Sequence, residues 1–209
     1  FETISWEAAL SEIAERWQRI MAESGAEAIL PYSLAGNQGL IQGGSLDQRL
    51  FGLLGCSALE RNLCGVVASA GLTATQGTPI GMDPEELQHS RLIVLWGTNT
   101  LVTNLHLWPV ITAAQRQGAT VVVIDPIRTR TAMAADWHLA PKPGSDAALA
   151  LSLMHVIVRD DLVDHDYVAR YADGYELLVE RVRDYSPEVV SSITGIAASD
   201  IERLARLYA

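Results

Sequence analysis

The sequence predicts an α/β fold: a parallel sheet with helices on both faces, followed by a helical C-terminal segment. Two apolar runs, Leu92–Trp96 and Thr120–Ile124, have the length and the unbroken hydrophobicity of strands that are buried on both faces. A helical pattern over Thr103–Gln117 lies between them, and a strand, a helix and a strand within about 35 residues form a parallel crossover. Only helical patterns follow Asp164. Together these observations predict a Rossmann-like arrangement.

The elements before residue 91 are predicted from apolar spacing, glycine content and capping residues. Apolar side chains three and four positions apart, beginning at Trp6, indicate a helix that Gly25 ends. Asp83 and Pro84 are typical of a helix start. In chain order the predicted elements are a helix over residues 5–23, a short strand over Glu27–Tyr32, a glycine-rich loop over Leu34–Ser45, a helix over Leu46–Leu54, a short helix within Leu59–Gly71 and a loop between Gly71 and Met82.

The elements after the second apolar run are predicted in the same way. In chain order they are a third strand over Trp137–Ala140, a helix from Ser145 or Asp146 to Arg159, a helix that starts at Ser186-Pro187, and a helix with the capping-box pattern Ser199 and Glu202. The chain begins at Phe1 without a Met or a basic leader and ends within a helical pattern, which favours a piece of a longer polypeptide. Residues 1–60 are predicted to be the helix-strand-loop part of a split domain, and residues 61–209 the Rossmann-like domain.

The composition excludes several classes of protein. The chain has 15 Lys+Arg against 25 Asp+Glu, a net charge of −10 and a pI near 4.9. This balance is the opposite of what a protein needs to bind a nucleic-acid backbone. The longest apolar stretches are of strand length, so no membrane span is expected. The two cysteines, Cys56 and Cys64, form neither a disulfide framework nor a zinc-ligand spacing, which fits a reducing compartment and predicts a cytoplasmic protein.

Three turns that follow the predicted strands carry the residues best suited to bind a ligand. In an open parallel sheet the ligand lies at the carboxyl ends of the strands. The turns are Gly97-Thr98-Asn99, Asp125–Thr131 and Pro143–Asp146. A glycine lets backbone approach a diphosphate, a helix N-terminus attracts an anion, and an acid can bind ribose hydroxyls. The alternative is that these are the small and acidic residues that any α/β protein has at such turns, since a full G-x-G-x-x-G is absent.

Arg128 and Arg130 place two guanidinium groups in one loop of an otherwise acidic chain. Local positive charge of this kind suits phosphates. Alternatively, the two side chains are solvated and balance Asp125 and Asp136.

Cys64 lies among small residues that leave room for a bound group, and a buried, unreactive cysteine is the alternative. Cys56 follows an apolar run and is assigned to structure. The five histidines show no metal-ligand spacing, and the sequence contains neither a G-x-S-x-G elbow nor a G-K-[ST] loop, so a self-contained metal site, a hydrolase and an NTPase are not expected.

These residues stand in an order that resembles the molybdopterin oxidoreductases of the dimethyl sulfoxide reductase family, which hold molybdenum or tungsten in two pterin guanine dinucleotides. The resemblance covers essentially the whole chain, and its specificity lies in the ordered combination of motifs. The motifs are Ile4–Leu10, the glycine-rich loop, Arg61–Gly71, Trp96–Asn99, Ile124–Pro126, Ala135–Leu139, Pro143–Leu149 and Asp166–Val168. The resemblance implies two-electron chemistry on a small substrate and an electron-transfer partner, with the enzyme active only as the full-length protein.

The resemblance also implies a role for each matching residue. Residues 61–209 would bind the dinucleotide, with Gly97, Thr98 and Asn99 at the phosphates, Asp125, Arg128 and Thr129 at ribose and phosphate, and Gly144 with Asp146 at the guanine. A carboxylate at Asp146 would accept the N1 and N2 hydrogens of guanine together, which discriminates against adenine. Cys64 aligns with the region where many family members supply a ligand to the metal, and a thiolate is a suitable soft ligand for it.

The sequence also departs from the family pattern. Ile127 stands where an arginine is frequent, and the family's N-terminal cysteine motif for a 4Fe-4S cluster is absent from these residues. Two other interpretations therefore remain. One is a cofactor-free structural subunit of an electron-transfer complex, like the related domain in the large subunit of respiratory complex I, and the intact guanine and phosphate motifs argue against it. The other is a nicotinamide-binding Rossmann domain, which the missing G-x-G-x-x-G and the acid at Asp146 disfavour.

Overall fold

A computed structural model describes residues 1–32, 39, 41, 44–60 and 64–209, with the side chain of Cys64 outside that description. The chain divides into two compact units, Phe1–Ile80 and Gly81–Ala209. The predicted division at residue 60 stays a prediction. Across the described residues, no helix combines the length and the hydrophobicity that crossing a bilayer requires.

The first unit is built from three helices, α1 (Trp6–Ser24), α2 (Leu46–Leu54) and α3 (Cys64–Gln76). Helix α1 begins where the Ser5 side chain accepts a hydrogen bond from the Ala8 N–H, and it ends at Gly25, whose φ of 83° only glycine adopts readily. Helices α1 and α2 agree with the prediction. Most of the predicted glycine-rich loop over Leu34–Ser45 lies outside the described residues.

Two predictions for the first unit are wrong. The segment Glu27–Tyr32 forms no strand, because Ala26–Ala28 make a 3₁₀ turn and the following residues have no ladder partner among those described. Its contact is instead with Ser57, whose N–H donates to the Ile29 carbonyl at 3.1 Å. Helix α3 continues past Gly71 to Gln76, into the predicted loop, and within it the Thr75 hydroxyl donates to the Gly71 carbonyl at 2.9 Å.

The second unit contains a parallel sheet of three strands in the order β1 (Leu92–Trp96), β2 (Thr120–Ile124) and β3 (Trp137–Leu139). The register pairs Trp96 with Ile124 and Ile124 with Leu139. The predicted α/β class and the parallel pairing of the two apolar runs are therefore confirmed. All three strands end at one edge of the sheet.

Successive residues of β2 belong to two different hydrophobic clusters because side chains alternate along a strand. The helices of the unit are α4 (Thr100–Thr103), α5 (Trp108–Arg116), α6 (Arg130–Ala134), α7 (Asp146–Arg159), α8 (His165–Tyr171), α9 (Tyr175–Val182), α10 (Pro187–Thr194) and α11 (Ala198–Tyr208). Val121 and Val123 pack with Ile111 of α5. Val122 and Ile124 pack with residues of α7, α10 and α11, including Leu204.

The predicted crossover helix over Thr103–Gln117 is divided. It consists of α4, a 3₁₀ turn over Leu105–Leu107, and α5. Asn104 interrupts it with a φ of −145°. Pro109 then lies in the first turn of α5, where its missing N–H has no intrahelical partner to lose.

Two capping predictions have different outcomes. Asp83 caps as predicted, since its side chain accepts from the Glu85 N–H at 2.9 Å, although the element over Pro84–His89 is a 3₁₀ helix. The capping box at Ser199 and Glu202 is wrong. Helix α11 begins at Ala198 without a side-chain cap, and Glu202 pairs instead with two arginines, Arg159 and Arg206.

Candidate functional site

The turns that follow β1 and β2 are joined by main-chain hydrogen bonds at the carboxyl edge of the sheet. The Gly97 N–H donates to the Ile124 carbonyl at 2.8 Å, and the Asp125 N–H donates to the Leu139 carbonyl at 3.1 Å. The strand register therefore continues one residue beyond each strand. This places the first predicted turn beside the second, and the second beside the end of β3.

The first turn contains a glycine with open space beside it and an asparagine whose side-chain amide is hydrogen-bonded. Gly97 has a φ of 63°, is exposed, and would have no atom within 4 Å of an added Cβ. Thr98 lies 3.5 Å, hydroxyl to hydroxyl, from the buried Thr100. The Asn99 side-chain oxygen accepts a hydrogen bond from the Thr131 hydroxyl at 2.7 Å. The helix that follows, α4, has only four residues. The turn therefore does not lead into the N-terminus of a long helix, which was the predicted source of anion attraction there.

The second turn is shaped by Asp125 and Thr129. One carboxylate oxygen of Asp125 accepts from the Ile127 N–H at 2.8 Å, and its carbonyl lies 2.8 Å from Nε2 of His138. Because a carbonyl can only accept, Nε2 is the donor in that bond. The Thr129 hydroxyl oxygen accepts from the Ala132 N–H at 3.1 Å and so caps α6.

Arg128 and Arg130 extend from this turn and are exposed. Asp125 is engaged by Ile127, and Asp136 accepts from the Val121 N–H at 2.8 Å and from Gln115 at 3.2 Å. Neither acid forms an ion pair with an arginine among the residues that the structure describes. The exposure of both arginines fits the alternative of two solvated side chains, so the two interpretations both stay open.

The third turn is tied directly to the first strand. Gly144 has a φ of 81° and open space where a side chain would be. Asp146 is exposed at the start of α7, and its Oδ1 accepts a hydrogen bond from the indole N–H of Trp96 at 2.7 Å. Trp96 is the residue before Gly97, so this bond joins the third turn to the first.

The structure thus brings most of the predicted residues to one edge of the sheet. They are Gly97, Thr98, Asn99, Asp125, Arg128, Thr129, Gly144 and Asp146. Cys64, at the start of α3, belongs to the other unit, and its predicted role stays a prediction. Sequence reasoning missed Trp96, His138 and the bond of Thr131 to Asn99. The signal available for Trp96 was an amphipathic indole at the last position of a buried strand.

The chemistry of this edge suits a nucleotide. It offers exposed guanidinium groups, main chain at two open glycines, and a carboxylate held by one oxygen. Within the described ranges there is no group of three or more His, Cys, Asp or Glu side chains that could hold a metal ion. The edge can therefore bind and orient a phosphorylated ligand, and the residues described here supply no metal centre of their own.

Comparisons with known proteins identify the family of the chain. The family model described as "Molybdopterin oxidoreductase" matches residues 1–195. The chain is 44% identical over 208 residues to the probable oxidoreductase YoaE of Bacillus subtilis, covering 100% of this chain and 31% of that protein. It is 31% identical over 213 residues to formate dehydrogenase H of Escherichia coli, covering 100% of this chain and 30% of that protein.

A solved structure, acetylene hydratase from Pelobacter acetylenicus, aligns with 98% of this chain and 28% of its own, with a TM-score of 0.63 and 30% sequence identity. The chain spans about a third of the length of the curated relatives that it matches.

Proposed function

The chain belongs to the molybdopterin oxidoreductase family, and on that premise we propose that it is the dinucleotide-binding part of an enzyme that moves two electrons to or from a small substrate. The proposed cofactor is a pair of molybdopterin guanine dinucleotides with molybdenum or tungsten. The observation that carries the proposal is the convergence of three turns at one edge of a parallel sheet, with Asp146 hydrogen-bonded to Trp96 there. We take this sheet, with helices on both faces, as the Rossmann-like core of the enzyme.

Asp146 fits the guanine end of such a cofactor. A guanine presents two adjacent N–H donors, and a carboxylate accepts through two oxygens with about four lone-pair sites. The Trp96 indole occupies one site on Oδ1, and no donor among the described residues reaches Oδ2. The carboxylate is thereby oriented while most of its acceptor capacity stays available.

The other turns fit the phosphates and the ribose. Gly97 and Gly144 leave open space beside the main chain, where a bulky group can approach closely. Arg128 can donate two parallel hydrogen bonds to a phosphate. The Thr129 hydroxyl uses its oxygen to cap α6 and keeps its hydrogen for a ligand. Asp125 keeps one carboxylate oxygen for a ribose hydroxyl.

Cys64 is proposed as the protein ligand of the metal and as a catalytic residue. When bound, the cofactor supplies a metal that changes its oxidation state by two, while the protein binds and orients it. A thiolate is a soft donor that suits this metal. Cys64 begins a helix of small residues, which leaves room for a large ligand nearby.

The remaining parts of the proposal lie outside these residues. A 4Fe-4S cluster bound by an N-terminal segment and an electron-transfer partner would connect the site to a redox pool, and this chain alone would be inactive. The cysteine content supports placing the enzyme in the cytoplasm. A cofactor-free structural subunit is the competing function, and it predicts a full-length protein that contains neither molybdenum, tungsten nor guanine nucleotide.

The test is the replacement Asp146→Ala in the full-length enzyme. Each charge-assisted hydrogen bond to guanine contributes about 1.5–3 kcal/mol, so the cofactor should dissociate at least about tenfold faster. The measurements are metal content by mass spectrometry and the guanosine monophosphate released by acid hydrolysis. Trp96→Phe keeps an aromatic side chain but removes the indole N–H, and we expect an intermediate loss.

Asp184→Ala is the matched control, because Asp184 is exposed in the second unit and makes no side-chain hydrogen bond or ion pair with any described residue. It should retain the wild-type metal and nucleotide content. Unchanged cofactor content in Asp146→Ala would remove Asp146 from the site. A wild-type protein without metal or guanine nucleotide would overturn the proposed function and support the structural subunit.

A further inference from the structure

We infer that Thr131 is a positioning residue for the proposed phosphate site at the carboxyl edge of the sheet: its buried hydroxyl fixes the Asn99 amide so that the amide nitrogen presents two N–H donors to a phosphate oxygen. The inference rests on the proposed function and adds a residue that contacts no ligand itself. Thr131 and Asn99 lie on different turns, 32 residues apart in the chain. The Thr131 side chain therefore connects the second turn to the first.

The orientation of the amide follows from the hydrogen-bonding needs of the Thr131 hydroxyl. Thr131 is fully buried, so its hydroxyl hydrogen needs an acceptor within the protein. Its oxygen already accepts from the Leu101 N–H at 3.0 Å. The Asn99 side chain lies 2.7 Å away, the usual length of an O–H···O bond. The hydroxyl therefore donates to Asn99, and the atom of Asn99 that faces it is the oxygen.

This orientation decides what Asn99 offers to a ligand. With its oxygen facing the buried Thr131, the half-buried amide turns its NH₂ group away from that hydroxyl. No acceptor for this NH₂ group occurs among the described residues. Two N–H donors without a partner among the described residues, on the same turn as Gly97, match an oxyanion, and a phosphate of the dinucleotide is such a ligand.

Asn99 and Thr131 also hold the backbone at the start of α4. The Asn99 carbonyl accepts from the Val102 N–H at 2.8 Å and from the Thr103 N–H at 2.9 Å. The Thr131 hydroxyl oxygen accepts a hydrogen bond from the Leu101 N–H, which belongs to the first turn of α4 and has no partner within the helix. Loss of the hydroxyl thus frees the amide to rotate and also leaves one N–H without an acceptor.

The experiment compares variants of the full-length enzyme for retention of guanine nucleotide, measured as guanosine monophosphate per chain over time after gel filtration. Thr131→Val keeps the shape and removes the hydroxyl, whereas Thr131→Ser keeps the hydroxyl. We expect Thr131→Val to lose nucleotide about tenfold faster than the wild type. Thr131→Ser should retain it as the wild type does.

A double-variant comparison separates positioning from a merely structural role. If Thr131 acts through Asn99, then Thr131→Val combined with Asn99→Ala should lose nucleotide no faster than Asn99→Ala alone. Additive losses, or wild-type retention in Thr131→Val, would overturn the inference.

Asn99→Asp provides a test that keeps Thr131 intact, in case Thr131→Val does not fold. Its carboxylate still accepts from Thr131 but places an anion where the NH₂ group was, so retention should fall below that of Asn99→Ala. Retention at the wild-type level would overturn the inference. If Asp146→Ala also keeps its nucleotide, the proposed site itself has failed. If Asp146→Ala loses nucleotide while Thr131→Val does not, only the inference has failed.

Discussion

Single side chains join the three turns at the carboxyl edge of the sheet. Trp96 holds Asp146, Thr131 holds Asn99, and His138 holds the carbonyl of Asp125. The polar residues of the turns could be predicted from the sequence because the turns follow the strands. Their partners could not be predicted, because they lie between 13 and 50 residues away and meet only once the strands are paired.

At the same scale, the two cysteines are expected to differ in function. Cys64→Ala in the holoenzyme should abolish turnover or reduce it sharply while leaving folding nearly intact, because it removes the proposed thiolate ligand. Cys56→Ala should leave turnover largely unchanged, since Cys56 is half-buried against α2 and removing its sulfur leaves a small void. The measurements are steady-state turnover and the thermal unfolding midpoint of each purified variant.

Full turnover in Cys64→Ala would return that residue to a structural role. A loss of turnover in Cys56→Ala without a change in the unfolding midpoint would instead transfer the proposed ligand role to Cys56.

At the scale of the elements, an ion-pair network joins the end of α7 to α11. Arg159 donates to Asp160 at 2.7 Å and to Glu202 at 3.1 Å, and Arg206 reaches both acids at 2.9 and 3.1 Å. This network explains why the capping box was wrong. The sequence places Ser199 and Glu202 three residues apart, but Glu202 has two arginine partners, one of which lies 43 residues away.

The Arg159 hydrogen bond, followed by that of Arg206, holds the pKa of Asp160 below its ordinary value. A group whose folded-state pKa is lowered contributes stability above its unfolded pKa, about 3.9, and loses it as the pH falls through the folded value. Asp160→Asn should therefore lower the unfolding midpoint between pH 5 and 8 by a constant amount, roughly independent of pH across this range. Below about pH 4 the difference from the wild type should shrink.

The measurement is thermal unfolding of the full-length protein across that pH range, with Asp184→Asn as the exposed control. A difference that stays constant down to pH 2, far below the ordinary pKa of about 3.9, would contradict the assigned cause. Because the paired side chains are partly exposed, added salt should also reduce the difference.

At the scale of the whole molecule, the most buried part of the second unit is β2. Val121, Val122, Val123 and Ile124 are each fully buried, with two on either side of the strand. The continuous apolar run predicted this, since a strand covered on both faces needs no polar side. The breaks in the crossover helix and the 3₁₀ form of Pro84–His89 were not predictable in this way, because they depend on backbone geometry at a few residues.

Hydrogen exchange should reflect this difference in burial. The β2 amides bond to neighbouring strands and lie in the core, so peptides that cover Thr120–Ile124 should exchange most slowly in the second unit. Peptides that cover Pro84–His89, which has no buried residue, should exchange much faster. Exchange followed by mass spectrometry in the full-length protein measures both. Equal rates would contradict the placement of β2 between two strands.

Each strand of the sheet pairs with a neighbour that is close in sequence, since Leu92 pairs with Thr120 and Val122 with Trp137. Closing such short loops costs little chain entropy, so the sheet can form while the ribosome is still synthesising the protein. At a synthesis rate of about 5–20 residues per second, the ribosome needs roughly 3–12 s to add the residues from Asp146 to Tyr208. A nascent chain can therefore carry the three turns of the proposed phosphate-binding edge for several seconds before helix α11 has been translated.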